Sequence, residues 1–245
     1  MEGTMDIKFL GRWSSNLVPG ERNVSILLDN KIAFDFGPHS LESVLERGLD
    51  PNKISMLLIS HMHLDHYVGI AELLWYRSIY KAEGRLIVLG PKGIRRNTER
   101  LTRILRTPPA WYKEQIDVNT EYVEDRDTDY VKVIHANHSV PCNAYRVEYG
   151  SKTILYSGDT SYSKRVVDGA RDVDWLFHEA TYVDKDRKLA DLWGHSTLSD
   201  AVRVFRESGA KHLVPVHLTE SSNAVASKMP GKIDGLVYPV DTLTF

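Results

Sequence analysis

The stretch His61-Met62-His63-Leu64-Asp65-His66 decides how this chain is read. It follows an apolar, β-branched run, Ile54-Ser55-Met56-Leu57-Leu58-Ile59-Ser60, and precedes a helical pattern that begins near Tyr67. The run therefore sits where a buried strand gives way to a helix. Side chains alternate along an extended segment, so His61 and His63 point the same way. Asp65 and His66 follow as the chain turns into the helix and aim at a neighbouring point. One short segment can thus supply ligands to two adjacent metal ions. Imidazole and carboxylate are the usual donors for zinc and related divalent metals. The alternative, a His-rich surface turn, does not account for the strand-then-helix setting.

At 245 residues, with 42% apolar and 26% charged residues, the composition is that of a soluble globular protein. No apolar run approaches the roughly 18–20 residues of a membrane helix. The opening Met1-Glu2-Gly3-Thr4-Met5-Asp6 has neither the basic nor the apolar region of a signal peptide. Met5 is an alternative start. The sole cysteine, Cys142, precludes an intrachain disulfide, and a reducing cytoplasm is the expected location. A net charge of −2 gives no global attraction to nucleic acid.

Short strands are expected at Ile7–Leu10, Val24–Leu28 and Ile32–Phe36, with a hairpin turn at Asp29-Asn30. A helix follows from Pro38 to Arg47, closed by Gly48, then the strand before the cluster and the helix after it. Leu86–Leu89 reads as a strand and Gly93–Leu105 as a helix that Pro108-Pro109 stops. In the second half, strands are expected at Tyr130–Ile134, Ala144–Val147, Thr153–Tyr156, Val173–His178 and His212–Val216. Thr197–Ser208 reads as a helix, and Leu236–Tyr238 and Leu243–Phe245 as closing strands. Hairpin-connected strands early and alternation with helices later imply an α+β chain with mixed sheets covered by helices, in one domain spanning 1–245.

Three further ligand-type residues fall at the ends of expected strands: His138 in Asn137-His138-Ser139-Val140-Pro141, Asp159 in Ser157-Gly158-Asp159-Thr160, and His217 in Pro215-Val216-His217. The cluster, the later His, the Gly-Asp-Thr and the final His resemble the metallo-β-lactamase superfamily in order and rough spacing, from Phe9-Leu10-Gly11 to His217. The resemblance implies a four-layer αβ/βα sandwich with two mixed β-sheets between helices and a binuclear site. It implies that His61, His63 and His138 bind one metal, that Asp65, His66 and His217 bind the other, and that Asp159 bridges them. Zinc suits such an all-nitrogen and oxygen set; manganese and iron also fit.

Within the superfamily the chain is most similar to ribonuclease Z and related phosphodiesterases. The likeness rests on Gly90-Pro91-Lys92-Gly93-Ile94, His138-Ser139-Val140-Pro141, His178-Glu179-Ala180-Thr181 and Gly194-His195-Ser196-Thr197. It implies that Glu179 and His195 form the pair that delivers a proton to the leaving oxygen, and that Asp65 acts as the base. Two cations about 3.5–4 Å apart would neutralise charge as a phosphodiester is cleaved. The leaving alkoxide is a strong base, so a general acid is required, and a His oriented by a carboxylate can supply it.

The departures are informative too. The family's long tRNA-gripping arm is absent: only Glu148 to Lys152 joins the strands that would flank it. The early Asp-Cys-Gly-Glu-Gly-Thr-Gln motif is here Asp35-Phe36-Gly37-Pro38-His39-Ser40-Leu41, and Leu218-Thr219-Glu220-Ser221-Ser222 replaces the aromatic, serine-rich tail. tRNA processing is thereby in question, phosphodiesterase chemistry less so. His135 competes with His138 but lacks the Ser-Val-Pro that follows the latter. His39, His178 and His212 read as structural, and Cys142 as a small buried residue.

Between Pro91 and Lys113 stand seven basic residues and one acid, Glu99. Arg96, Arg100 and Arg103 share one helical face. Segment 92–113 reads as a solvated basic face, as a phosphate-tracking surface for RNA, or, through Ile94, Leu101 and Leu105, as a homodimer contact. The expected function is a binuclear, metal-dependent phosphodiesterase of ribonuclease Z-like kind, acting on RNA or a smaller phosphodiester. Alternatives are a lactonase or glyoxalase II-like thioesterase of the same fold and a non-catalytic RNA-binding member.

Overall fold

Asp29 and Asn30 both adopt positive φ, 46° and 56°, the backbone of a two-residue hairpin turn. The turn sets the register of the strands it joins, Ser25–Leu28 and Ile32–Phe34, with Ile26 opposite Phe34 and Leu28 opposite Ile32. The computed structural model describes residues 5–244, the side chains at 114 and 115 aside. The expectations on Met1 as a start and on Phe245 as a strand end lie outside the described residues. The strands are β1 (Asp6–Gly11), β2 (Ser25–Leu28), β3 (Ile32–Phe34), β4 (Met56–Leu58), β5 (Leu86–Gly90), β6 (Thr120–Glu124), β7 (Val131–His135), β8 (Asn143–Tyr149), β9 (Lys152–Tyr156), β10 (Trp175–Glu179), β11 (His212–Val216) and β12 (Thr242–Thr244). They fall into two mixed sheets, as expected, one in each of two compact units.

The first unit comprises the described parts of Met1–Gly11, Arg22–Asp125 and Asp241–Phe245. Its sheet runs β12-β1-β2-β3-β4-β5-β6, antiparallel as far as β3 and parallel from β3 to β6. The central β4 is buried on both faces, which explains its unbroken apolar run. Its helices are α1 (Ser40–Glu46), α2 (Leu64–Tyr67), α3 (Ile70–Ile79), α4 (Ile94–Ile104), α5 (Pro109–Trp111) and α6 (Asp117–Asn119), the last two joined by a π-helical turn, Tyr112–Ile116. Ile70, Leu73 and Leu74 of α3 share one face and pack with Leu57, Ile59 and Val88. Gly37 and Gly69 are required by close approach. A Cβ on Gly37 would overlap the carbonyl of Asp65, and one on Gly69 the carbonyl of Gly37. The loop after β3 is thus pressed against the loop carrying residues 61–66.

The second unit, Arg12–Glu21 and Arg126–Val240, has the sheet β11-β10-β9-β8-β7. β9, β10 and β11 are mutually parallel, and β7 and β8 antiparallel to their neighbours. Its helices are α7 (Lys164–Gly169), α8 (Arg187–Trp193), α9 (Leu198–Ser208) and α10 (Glu220–Ala226). Val166, Val167, Val204 and Phe205 cover Leu155, Leu176 and Leu213. Thr197 and Asp200 form a capping box on α9, and Thr219 and Ser222 one on α10. β8 and β9 meet in a tight hairpin, Tyr149 opposite Lys152, with Gly150 at φ 58°; Gly150 and Ser151 alone join them, and no arm is inserted there.

Several local expectations need correction. Pro108-Pro109 ends α4, yet Pro109 opens the next helix, since proline at the first helical position loses no intrahelical bond. Leu236–Tyr238 is no strand: Leu236 makes a single bridge to Leu213. Helices α7, α8 and α10 are short and polar on one side, and their periodicity does not stand out in sequence. The apolar stripe expected on α4 is split: Ile94 is buried and Leu101 packs on the core of its own unit, whereas Leu105 is exposed. Among the described residues no helix is long and apolar enough to cross a membrane.

Candidate metal centre and acid–base pair

In the first unit His63, extended at φ −69° and ψ 154°, immediately precedes α2, whose single turn carries Asp65 and His66. The change from extended to helical backbone sorts the donors into two pairs. His61 Nε2 lies 2.9 Å from His63 Nδ1, and His66 Nε2 lies 3.5 Å from Asp65 Oδ2. Ligands about 2.0–2.1 Å from a tetrahedral zinc are separated by roughly 3.3 Å, so each pair is spaced to share one ion.

The second ring nitrogens of His61 and His66 are held from behind. His61 Nδ1 meets Ser60 Oγ at 3.0 Å and His66 Nδ1 meets Asp35 Oδ2 at 2.7 Å. Asp35 also accepts from the Ser60 backbone N–H and hydroxyl, at 2.6 and 2.8 Å. A carboxylate accepts only, so His66 carries its proton on Nδ1 and presents Nε2 as a lone pair. Asp35 is fully buried and sits at φ 55°, a left-handed conformation that costs a non-glycine residue about 1–2 kcal/mol. Such strain gathers where a side chain must be aimed.

In the second unit the donors come from separate stretches of chain. Asp159 follows β9, Glu179 ends β10 and His217 follows β11, all at the carboxyl ends of parallel strands, where sites on such sheets form. His138 lies in the loop between β7 and β8. That loop is tied to the Asp159 loop by Asn137 N–H to Thr160 Oγ1 (3.0 Å) and Ser161 N–H to Asn137 O (2.9 Å). Asp159 Oδ2 is 3.5 Å from His217 Nε2 and 4.0 Å from His138 Nε2. His138 Nδ1 donates to the Gly194 carbonyl at 2.9 Å. Burial pulls its pKa below the ordinary value, against the opposing pull of Asp159, and so favours the neutral, ligating form. His217 adopts φ 54°, and its Nδ1 lies 2.8 Å from Thr181 Oγ1. The Thr181 hydroxyl gives its one proton to Glu179 Oε2 at 2.6 Å. His217 is therefore the donor in the contact with Thr181, which leaves Nε2 for Asp159's side.

Glu179 and His195 are hydrogen-bonded, Oε1 to Nδ1 at 2.9 Å. Glu179 is completely buried and also accepts from the Thr160 and Thr181 backbone N–H groups. Burial alone would raise its carboxyl pKa. The charge and hydrogen bond of His195 outweigh this and set it below the ordinary value. His195 stacks on His217, rings 5.4 Å apart, and retains 15% side-chain exposure. The pair thus combines a buried, ionised carboxylate with an imidazole that still meets solvent. The donor chemistry fits divalent metal: His138, Asp159 and His195, and likewise Glu179, His195 and His217, offer nitrogen and oxygen atoms within 4.8 Å of one another.

Of the other histidines, His135 is turned to Asn143 Oδ1 (3.1 Å), His39 pairs with Glu42, and His212 stacks on Trp175. His178 is buried, its Nδ1 donating to the Glu179 carbonyl. Asp35 and Thr181 were not singled out by the sequence. Asp35 heads a motif otherwise lost, and Thr181 closes His178-Glu179-Ala180-Thr181; those positions were the only signals.

The chain belongs to the beta-lactamase superfamily: the model of the beta-lactamase superfamily domain matches residues 30–218. Within it the chain is ribonuclease Z-like. It is 28% identical over 281 aligned positions to ribonuclease Z of Bacillus subtilis (strain 168), covering 91% of each protein. Its fold is that of human tRNase Z, short form (TM-score 0.77, 22% identity, 98% of each chain). It is equally that of the metallo-beta-lactamase fold protein YhfI of Bacillus subtilis (TM-score 0.79, 19% identity, 99% of this chain and 100% of that one). The expected family and fold are thereby borne out.

Proposed function

We propose that this protein is a metal-dependent phosphodiesterase of ribonuclease Z-like kind. In this reading His61, His63, Asp65, His66, His138, Asp159 and His217 are the metal ligands, for two divalent ions, zinc by preference. When bound, the ions would supply positive charge to the phosphoryl oxygens and lower the pKa of water. The single observation that carries the reading is the Glu179–His195 hydrogen bond, because a phosphodiester expels a strongly basic alkoxide that needs a proton donor and the resemblance assigns this pair to ribonuclease Z-like enzymes.

Glu179 stays ionised and fixes the His195 proton on Nδ1. His195 then gives the Nε2 proton to the departing oxygen. Asp65 receives the proton of the attacking water. The RNA-facing surface of this reading is segment 92–113. There Arg96, Arg100, Arg103 and Arg106 are exposed, while Arg95 is engaged by Glu99 and Asp117. A homodimer would use the exposed Ile104 and Leu105 beside it. Cytoplasmic action accords with a sole, buried cysteine.

The test is metal analysis joined to hydrolysis of bis-(p-nitrophenyl) phosphate, precursor tRNA, lactones and thioesters. About two ions per chain and turnover of phosphodiesters are expected. His195→Ala should keep its metal and lose about 10²–10⁴-fold in turnover of substrates with a basic leaving group. Turnover of lactones or thioesters alone would overturn the reading.

A further inference from the structure

Leu189, Leu192 and Trp193 are spaced i, i+3 and i+4 on α8 and are 47%, 69% and 56% exposed. That spacing puts them on one face, while Ala190 turns inward and is buried. An indole and two leucines in water are unusual so near a polar site. α8 is also anchored to that site. Gly194 caps it at φ 71°, its N–H and that of His195 both reaching the Ala190 carbonyl. The Gly194 carbonyl then holds His138, and the next residue is His195 itself. Arg187, in the first turn, bonds Asp200 Oδ2 and Thr197 Oγ1 at 2.6 and 2.9 Å. The helix is thereby clamped at both ends of the loop that presents the proton donor.

We propose that Trp193, with Leu192, is the binding surface for the nucleobase of the leaving group. The inference rests on the phosphodiesterase reading above. A proton donor must reach the leaving oxygen, so the departing nucleoside is held on the His195 side. The Tyr182 ring lies 6.0 Å from that of His195, and α8 runs directly into the His195 loop through Trp193 and Gly194. Charge separates this surface from the basic segment. Asp184, Asp186 and Asp191 balance Lys185, Arg187 and Lys188, so nothing here draws a phosphate backbone. An uncharged, flat, partly solvated indole instead suits a base, which stacks on aromatic rings with little regard to sequence.

The experiment compares metal-loaded wild type, Trp193→Ala and Trp193→Phe on dinucleoside monophosphates and on the matching esters whose leaving alcohol is a simple alkyl group. The readout is the ratio of kcat/KM for the two substrates. Stacking of about 1–3 kcal/mol corresponds to roughly 5–150-fold, so Trp193→Ala should lower the ratio by about tenfold and Trp193→Phe should restore most of it. An unchanged ratio would overturn the proposal, as would a change of oligomeric state in Trp193→Ala, which would assign the face to a second copy of the chain. If wild type hydrolyses neither substrate, the phosphodiesterase reading fails separately. The Trp193 indole N–H resonance, identified by its loss in Trp193→Phe, then decides: it shifts on titration with a dinucleoside monophosphate if the surface binds bases and stays in place if it does not.

Discussion

The donors of the first unit are contiguous, and those of the second are scattered over eighty residues of chain; the two sets are held in place by different physics. His61 to His66 are positioned by backbone packing. The loop after β3 lies on their own loop so closely that Gly37 and Gly69 have no room for a Cβ, and the Phe36 N–H bonds the His66 carbonyl at 2.8 Å. In the second unit the backbone approach to the donors is looser: a Cβ on Gly194 would meet the His138 and Ser139 backbone at 3.1–3.3 Å, and one backbone hydrogen bond, Ser161 N–H to the Asn137 carbonyl, ties the His138 and Asp159 loops. There the donors are held by side chains, through Thr181, Glu179, Thr160 and the Arg187–Asp200–Thr197 cluster. A contiguous motif needs one rigid local fold. A scattered one needs a hydrogen-bond network that carries each loop to the same place.

The sharpest way to break this comparison is through the glycines. Gly37→Ala forces a methyl group into the Asp65 carbonyl, which neither backbone can accommodate by rotamer change. Overpacking of this kind costs about 1–3 kcal/mol or more, and metal binding should fall with it. Gly194→Ala, in the second unit, meets the His138 and Ser139 backbone at 3.1–3.3 Å and carries φ 71°, for a cost of about 1–2 kcal/mol from the left-handed conformation. Urea denaturation of the two variants should therefore rank Gly37→Ala as the more damaging. The reverse order would mean that the first set of donors is not fixed by its backbone.

A smaller effect concerns the groups behind the ligands. Asp35 supports His66 with a buried carboxylate and Thr181 supports His217 with a neutral hydroxyl. Removing such a partner typically weakens metal binding about 10–100-fold. Asp35→Ala should lie near the upper end, because a charge-assisted bond is lost and two Ser60 donors lose their acceptor as well. Thr181→Val should lie near the lower end. Chelator competition on the metal-loaded variants measures both, and equal losses would remove the distinction between the two halves.

The same contrast explains what could be read from the sequence. The 61–66 run announces itself, because four donor residues in six positions between a strand and a helix have few other uses. The hairpin at Asp29-Asn30 and the apolar β4 were legible for equally local reasons. His138, Asp159 and His217 are separated by 21 and 58 positions, and nothing in their immediate sequence says that they converge; only their order, matched to a family, did so. Asp35 was harder still. Its role depends on a left-handed backbone after β3 and on a bond to a residue 31 positions away, neither of which has a local pattern. The helices at α7, α8 and α10 were missed because six or seven residues carry too little periodicity.

Asp200 probes the second unit's network most gently and allows its charge to be read directly. Its carboxylate accepts from Arg187 and from the Thr197 N–H and hydroxyl. Burial would raise its pKa, but these bonds outweigh burial and hold the carboxyl below its ordinary value. A carboxylate whose folded pKa is depressed contributes stability that is present above the unfolded pKa of about 3.9 and is lost as pH falls through the folded value. Arg187 is 42% exposed, so solvent screening reduces the contribution of the ion pair. Asp200→Asn, which can still cap α9, should cost about 1–2 kcal/mol at pH 7. That difference from wild type should hold down to about pH 5 and shrink below about pH 4. Urea melts across this range test the sign. A difference that persists undiminished at low pH would show that Asp200 acts by shape alone, and that the network behind His195 owes nothing to its charge.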